Sequence, residues 1–167
     1  MTPILIQRLL VTLSAAMLWS NPPRLERPRA LPASDPLVVV AGLAFPATDI
    51  SLASLKAAFR GQIAEVGGKR VIPINHAVGT ELRVEFDRIV LGLDPSAVGR
   101  YWVDRRIRDE GMPPKTIPTA ELAVRVVAAV PSAITYARRA MLNQRVKELT
   151  IDGIAAGEPS YALTAAR

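Results

Sequence analysis

The stretch from Val71 to Gly92 sets the strongest limit on the fold, because a strand-like apolar run, a short turn and an amphipathic helix follow one another in it. The strand is predicted from Arg70 to Asn75. The helix is predicted from Thr80 to about Leu91, because apolar residues recur there at helical spacing. These residues are Leu82, Phe86, Ile89 and Val90. Arg83 and Glu85 lie off this apolar face, and the stretch predicts a strand–turn–helix unit of an α/β fold.

The turn at His76 to Thr80 is a candidate anion site. The first amides of a helix have no intrahelical acceptor, and the aligned peptide dipoles give that end of the helix a partial positive charge. The amides from Val78 through Gly79 and Thr80 to Glu81, the Thr80 hydroxyl and the Arg83 guanidinium would then surround a small anion. The alternative is an ordinary strand-to-helix turn with Thr80 near the N-cap.

Strands and helices alternate along the chain from Leu37 onward. Leu37 to Ala41 is a continuous and mostly β-branched run, which is typical of a strand buried on both faces. Further helices are predicted at Ser51 to Gly61, Asp94 to Asp109 and Thr119 to Val130, and further strands at Ala133 to Ala137 and Val146 to Ile151. The prolines of Gly111 to Pro118 predict a surface loop, and residues 154–167 are expected to be a loose tail.

This alternation predicts a single domain at residues 37–153. The expected architecture is a three-layer α/β/α sandwich on a mixed, mostly parallel sheet, with a ligand region at the carboxyl ends of strands. The chain has 167 residues, 50% of them hydrophobic, which is enough to build a core of this size.

The composition excludes several classes of site. The net charge is +6, but basic residues are scattered among acidic ones and only 5% of residues are aromatic, which disfavours a nucleic-acid partner. The chain has no cysteine and a single histidine, His76, and no clustered acidic motif. Thiolate sites and multi-histidine metal sites are therefore excluded, and neither a metal nor another cofactor is expected.

The first 20 residues predict export. One basic residue, Arg8, precedes an apolar run from Leu9 to Trp19, whose length fits the hydrophobic core of a secretory signal peptide. No clean Ala-x-Ala cleavage site follows, so an uncleaved N-terminal anchor, a different start codon and a cytoplasmic amphipathic start are kept as alternatives. Residues 21–36 are rich in proline and predict an extended linker. The expected location is periplasmic or secreted.

Six phrases of the chain, taken in order, resemble a known family. They are LVVVAG, SLASLKAAFRGQ, GGKRVIPINHAVGTELRVEFDRIVLG, YWVDRR, ELAVRVVAAVPSAITYA and VKELTIDG. Together they resemble the type II periplasmic solute-binding proteins of the phosphate transporter class, specifically short single-lobe members, over about Leu37 to Gly153. The resemblance implies one lobe of that fold.

In that family, amides and hydroxyls of a Ser-Gly-Thr turn hold phosphate, together with an arginine and groups from a second lobe. Gly79 and Thr80 match the Gly-Thr of this turn, and Arg83 and Phe86 match the Arg and Phe that follow it. Val78 stands where the family has the serine. A hydrogen bond to a charged group contributes about 1.5–3 kcal/mol, so this change costs roughly ten- to a hundredfold in affinity.

The resemblance implies an oxyanion-binding protein whose binding is weak or depends on a partner. The implied ligand is inorganic phosphate or a similar oxyanion, and the implied partner is an ABC transporter or an envelope sensor; the oligomeric state stays open. The alternative is a protein-interaction module of the envelope that keeps the fold without the ligand. An enzyme is not expected, because no catalytic set can be assembled around one histidine. A role for His76 as a general acid or base, or as a cation that assists anion binding below about pH 6.5, is kept as a further alternative.

Overall fold

The computed structural model describes residues 35–164. The predicted signal segment at residues 1–20, most of the linker at residues 21–36 and the last three residues of the chain lie outside the described residues. None of the helices between residues 35 and 164 combines the length and the apolar character needed to cross a membrane.

The described part of the chain contains eight strands and four α-helices. The strands are β1 (Leu37–Gly42), β2 (Asp49–Ile50), β3 (Glu65–Val66), β4 (Lys69–Arg70), β5 (Ile72–His76), β6 (Lys115–Ile117), β7 (Ala133–Arg138) and β8 (Val146–Ile151). The α-helices are α1 (Leu52–Phe59), α2 (Glu81–Phe86), α3 (Pro95–Ile107) and α4 (Ala120–Ala129). A π-helical turn, Asp87–Leu91, continues α2, and a 3-10 turn, Arg139–Met141, follows β7. The sequence prediction agrees with the structure for β1, β5, β7 and β8 and for all four α-helices.

Six strands form one sheet in the order β2-β8-β1-β7-β5-β6. Strand β1 is antiparallel to both of its neighbours, β7 and β8, and the other three pairings are parallel. The prediction of a mixed, mostly parallel sheet is confirmed. Strands β5, β7 and β8 run in the same direction. The carboxyl end of β5 therefore lies at one end of the strands, and β7 and β8 begin at the other end.

The core is organised around β1, all six residues of which are buried. A strand that is buried on both faces needs helices on both sides, and this confirms the predicted three-layer sandwich. Phe59 of α1 packs against Tyr136 of β7, with ring centroids 5.7 Å apart. Helix α4 packs on β1 and β7 and lies so close to Gly42 that a Cβ atom there would be 2.4 Å from the Val127 carbonyl oxygen. Only glycine fits there.

Three helices begin as the sequence predicts, because a polar side chain accepts a hydrogen bond from a first-turn amide. Ser51 caps α1 through the amide of Ser54, at 3.0 Å. Asp94 caps α3 through the amide of Ala97, at 2.8 Å. Thr119 caps α4 in the same way.

The structure corrects two parts of the prediction. Within Gly111 to Pro118, Lys115–Ile117 forms the edge strand β6, which pairs in parallel with β5. An edge strand pairs on one side only, and the prolines lie before and after it, so they do not interrupt its hydrogen bonds. The predicted loose tail is not loose over residues 154–164, because Tyr161 and Leu163 are only 3% and 2% exposed.

Candidate functional site

The turn from His76 to Thr80 lies at the carboxyl end of β5, as the sequence predicts. Gly79 has φ of +84°, a left-handed conformation that glycine adopts without strain. Thr80 returns to extended backbone and is the N-cap of α2. Val78 stands at the tip of the turn with 80% of its surface exposed. The chain therefore turns sharply outward between strand and helix.

Thr80 does not cap α2 with its side chain. Its hydroxyl donates to the Ala77 carbonyl at 2.9 Å, and its amide donates to the same carbonyl at 3.3 Å. No side chain in the described part of the protein accepts a capping hydrogen bond at this helix start, in contrast to the starts of α1, α3 and α4. The first amides of α2 thus remain available to an outside acceptor.

Arg83 is buried, 6% exposed, and the prediction that it lies off the apolar face of its helix is wrong. Its Nε donates to Asp87 Oδ2 at 2.5 Å, one turn further along the helix. Its Nη1 donates to the His76 carbonyl at 3.3 Å, which ties the helix to the end of β5. The guanidinium that the resemblance assigns to the anion is therefore engaged within the protein.

Asp87 is the main residue of this region that the sequence analysis missed. It is 3% exposed, and its second oxygen, Oδ1, has no hydrogen-bond partner among the described residues. Burial raises the pKa of the Asp87 carboxyl above its usual range, and the Arg83 guanidinium opposes this shift. The signal available in the sequence was the spacing of Arg83 and Asp87, four residues apart on a predicted helix.

A small cavity lies under the turn. It measures about 20 Å³ and is lined by residues of the turn, of α2 and of the start of α3, including Val78, Gly79, Arg83, Asp87 and Val98. A cavity of this size holds about one water molecule. A phosphate ion does not fit inside, so an anion would have to sit on the outer, solvent-facing side of the turn.

His76 is directed into the core and not toward solvent. It is 2% exposed, and its Nε2 lies 2.7 Å from the Tyr136 carbonyl oxygen. Because a carbonyl only accepts, Nε2 carries the hydrogen. Burial lowers the pKa of His76, and Arg83 lowers it further, whereas the hydrogen bond to Tyr136 and the charge of Glu121 act in the opposite direction. The ring is therefore a neutral hydrogen-bond donor at pH 7.

A polar network joins β5 to β7 beneath the turn. The Tyr136 hydroxyl donates to Asn75 Oδ1 at 2.5 Å, and the His76 amide donates to the same oxygen at 3.0 Å. The Tyr136 ring stacks on Phe86, with centroids 3.8 Å apart and planes 3° from parallel. The network fixes the end of β5 against α2, so the turn is held by a rigid base.

Carboxylates of α2 lie close to Arg138. Glu81, the first residue of α2, has a fully solvated side chain, 92% exposed, that lies 3.9 Å from the Arg138 guanidinium. Arg138 makes a bidentate pair with Glu85. Arg83 and Arg138 are thus each paired with a carboxylate. Because these guanidinium groups are already neutralised, the positive charge that remains for an anion is mainly the partial charge of the helix start.

No group of three or more metal-ligating side chains is found between residues 35 and 164.

No protein-family model matches the sequence, and no curated protein sequence matches it. Several solved structures are similar to this protein in fold. A putative phosphate ABC transporter substrate-binding protein from Clostridium perfringens, with bound phosphate, superposes with a TM-score of 0.58 and 19% identity, over 73% of this chain and 47% of that chain. The domain has the fold of one lobe of a type II periplasmic binding protein. The resemblance predicted from the sequence is confirmed at this level.

Two further structures agree with this fold. An ABC-type phosphate transport receptor from Vibrio cholerae gives a TM-score of 0.57 at 14% identity, covering 72% of this chain and 48% of that chain. A possible phosphate binding protein from Planctomyces limnophilus DSM 3776 gives 0.52 at 14% identity, covering 70% and 41%. The chain spans less than half the length of each of these proteins.

Proposed function

We propose that the domain is a solute-binding lobe that holds a small oxyanion, such as inorganic phosphate, weakly on the outer side of the turn at Val78 to Glu81. The observation that carries the proposal is the uncapped start of α2, reached through the left-handed Gly79. Free amides at such a position recognise anions. The similar structure from Clostridium perfringens contains bound phosphate, which supports the same class of ligand.

Weak binding follows from the surroundings of the turn. Val78 provides no side-chain donor, Arg83 already has Asp87 as a counter-ion, and the cavity beneath is too small for phosphate. An anion on the outer side stays largely solvated, where a hydrogen bond contributes less than in a closed site. We expect a dissociation constant in the millimolar range for the isolated protein.

Tighter binding would need a second surface. In proteins of two lobes, closure of the second lobe over the ligand removes water and adds donors. We propose that a partner, either a transport component or an envelope sensor, supplies that surface, and that the protein acts in the periplasm or outside the cell. The described similar structures are named as transport receptors or binding proteins, and we propose a non-enzymatic role for this chain as well.

The test is a titration of the ¹⁵N-labelled protein with sodium phosphate, followed by amide chemical shifts. Saturable shifts confined to Val78 to Arg83 are the expected result. Sodium chloride at matched ionic strength is the control, since a general salt effect moves surface amides throughout the protein. Shifts that are equal in phosphate and chloride, or absent from the turn, would contradict the proposal.

A second function is favoured by the internal Arg83–Asp87 pair and by the exposed Val78. A chain that neutralises its own anion-binding arginine and places an apolar side chain at the tip of the turn is suited to contact another protein there. In that case the fold serves as an interaction module without a ligand. Val78→Ser separates the two functions: it adds a donor and should strengthen phosphate binding, whereas it should weaken an apolar protein contact.

A further inference from the structure

A second candidate site lies at the other end of the strands from the turn. A groove of about 570 Å³ runs between the last turns of α4 and the segment that leads into β8. Its lining residues are Arg125, Ala128, Ala129, Asn143, Gln144 and Arg145. Val146, the next residue, pairs with Gly42 at the end of β1, whereas the turn follows the end of β5. The two sites are therefore separated by the length of the sheet.

Among the described residues, the charged side chains that line the groove are both arginines. Arg125 and Arg145 contribute guanidinium groups, and none of the described residues that line the groove carries a carboxylate. Within residues 35–164, neither arginine lies in ion-pair distance of an Asp or Glu, unlike Arg83, Arg138 and Arg139, each of which is paired. The groove thus has two positive charges that the described part of the protein does not neutralise.

Two hydrogen bonds of Asn143 stabilise the backbone turn on the loop side of the groove. Asn143 Oδ1 accepts from the Arg145 amide at 2.9 Å, and the Asn143 carbonyl accepts from the Val146 amide at 3.3 Å. With its oxygen engaged, the Asn143 side chain presents its NH₂ group as the free part. The opposite wall is the packed helix α4, which contacts β1 closely at Gly42. The backbone of both walls is therefore stabilised by contacts within the protein.

The shape of the groove distinguishes among anionic ligands. Its volume lies within the range of roughly 300–1,000 Å³ that is typical of ligand sites and far exceeds what inorganic phosphate fills. All four polar lining residues are exposed, so the groove is open along its length. The last turn of α4 presents its carbonyl end here, which disfavours an anion held by the helix itself and leaves the side chains to hold it. An open groove with spaced guanidinium groups suits an extended chain whose carboxylates pair with them.

We propose that this groove binds an acidic, extended polypeptide segment of a partner protein, with Arg125 and Arg145 each pairing with a carboxylate and the methyl groups of Ala128 and Ala129 forming the floor. The interaction does not depend on the oxyanion site. It would attach the protein to a partner at the end of the strands opposite the turn.

The test uses fluorescence anisotropy with a short fluorescein-labelled peptide of alternating glutamate and alanine, at low salt. The Arg125→Glu/Arg145→Glu double variant should bind the peptide at least about 10-fold more weakly, since each exposed pair is lost and replaced by repulsion. The matched control is Arg88→Glu/Arg106→Glu, which changes the net charge equally at exposed arginines that also make no ion pair among the described residues. The control should bind like the unaltered protein.

Three results would overturn the proposal. Equal weakening in both double variants would show that binding reports net charge alone. Absence of peptide binding at millimolar concentration would show that the groove does not recognise carboxylates. Binding of a single-stranded oligonucleotide or of pyrophosphate that is tighter than that of the peptide, and that the Arg125→Glu/Arg145→Glu change abolishes, would assign the groove to phosphate-bearing ligands. Near-UV circular dichroism checks that each variant is folded.

Discussion

Arg83 Nε lies 2.5 Å from Asp87 Oδ2, and both side chains are buried: Arg83 lies in α2, and Asp87 follows its last residue. The pair turns a residue expected to recognise an external anion into one that holds an internal one. A carboxylate and a phosphate offer the same kind of oxygen to a guanidinium, so Asp87 competes directly with any oxyanion for Arg83. The affinity of the turn therefore depends on a residue that does not face the ligand.

Replacing Asp87 by Asn should strengthen phosphate binding while it destabilises the fold. The change releases the charge of Arg83, and one charge-assisted hydrogen bond to phosphate corresponds to about 10-fold in affinity. Loss of one partner of a buried pair costs about 3 kcal/mol in the free energy of unfolding. Isothermal titration calorimetry measures the affinity, and urea denaturation measures the stability.

The control for this variant is Asp104→Asn, an exposed position on α3 that makes no ion pair among the described residues. It removes the same charge from the protein and should change neither quantity measurably. If Asp104→Asn strengthened phosphate binding as much as Asp87→Asn, the gain would come from net charge and not from the release of Arg83.

The fold could be predicted where the local pattern and the packing agree. Leu37 to Ala41 is apolar at every position and rich in valine, and a short run of this kind is typical of a strand in the middle of a covered sheet, so β1 was predictable. Strand β6 was not, because its three residues are flanked by prolines and its pairing depends on β5, which lies far away in the sequence. Tyr161 and Leu163 were missed because single apolar residues between turns show no period.

The position of the candidate site could be predicted from the sequence, but the orientation of Arg83 and its pairing with Asp87 could not. The strand, turn and helix place Gly79 and Thr80 at a helix start, and this much follows from local residues. Whether Arg83 faces outward depends on the rotation of α2 about its axis, which Phe86 and Tyr136 set by stacking. A residue with a long aliphatic stem is compatible with either face, so periodicity alone assigned Arg83 to the wrong one.

Replacing Gly79 by Ala tests the backbone of the turn. A Cβ atom at this position meets nothing within 4 Å, so the cost comes from φ of +84° and not from a clash. We expect the free energy of unfolding to fall by about 1 kcal/mol and phosphate shifts at the turn to be lost. Thermal or urea denaturation measures the first effect, and the amide titration measures the second.

Gly99→Ala is the matched control, because Gly99 also has open space around a Cβ atom but lies inside α3 with ordinary helical φ. Alanine favours a helix interior over glycine by about 1 kcal/mol, so this variant should be more stable than the unaltered protein. Equal destabilisation at both positions would mean that the left-handed conformation of Gly79 is not what the turn requires.

The stability of the domain should depend on pH through His76. Burial holds the pKa of this residue below the unfolded value of 6.5, so the unfolded chain binds more protons in acid and the free energy of unfolding falls as the pH drops below about 6.5. The slope is at most about 1.4 kcal/mol per pH unit. Arg83 from α2 supports this shift and Glu121 from α4 opposes it.

His76→Gln isolates this dependence, because glutamine keeps a donor but does not titrate. The pKa of Asp87 is raised, so its protonation stabilises the folded state as the pH falls and acts against the loss from His76. The difference between the two proteins, measured by urea denaturation at several pH values, removes the contribution of Asp87. A difference that stays constant between about pH 5 and pH 8 would contradict a buried, neutral His76.

Removing the Tyr136 hydroxyl tests the base of the turn. Tyr136→Phe keeps the ring that stacks on Phe86 but removes the donor to Asn75 Oδ1, whose own Nδ2 already has no partner among the described residues. We expect a loss of about 1 kcal/mol in the free energy of unfolding. Tyr101→Phe is the control: its hydroxyl bonds the Arg60 carbonyl in a half-buried position, where water can replace it, so the loss should be smaller. An equal loss in both variants would mean that the buried hydrogen bond to Asn75 stabilises the fold no more than the half-buried one to Arg60.

Truncating Leu163 to alanine tests whether the C-terminal segment is part of the folded unit. Leu163 is 2% exposed and belongs to the same core cluster as Leu37 and Val39, so Leu163→Ala should lower the free energy of unfolding by about 2–4 kcal/mol. Leu122→Ala, at a leucine of α4 that is 37% exposed, should cost less than about 1 kcal/mol. Urea denaturation measures both. A small loss at Leu163, no greater than at Leu122, would mean that residues 154–164 contribute little to the core and that the domain ends near Gly153.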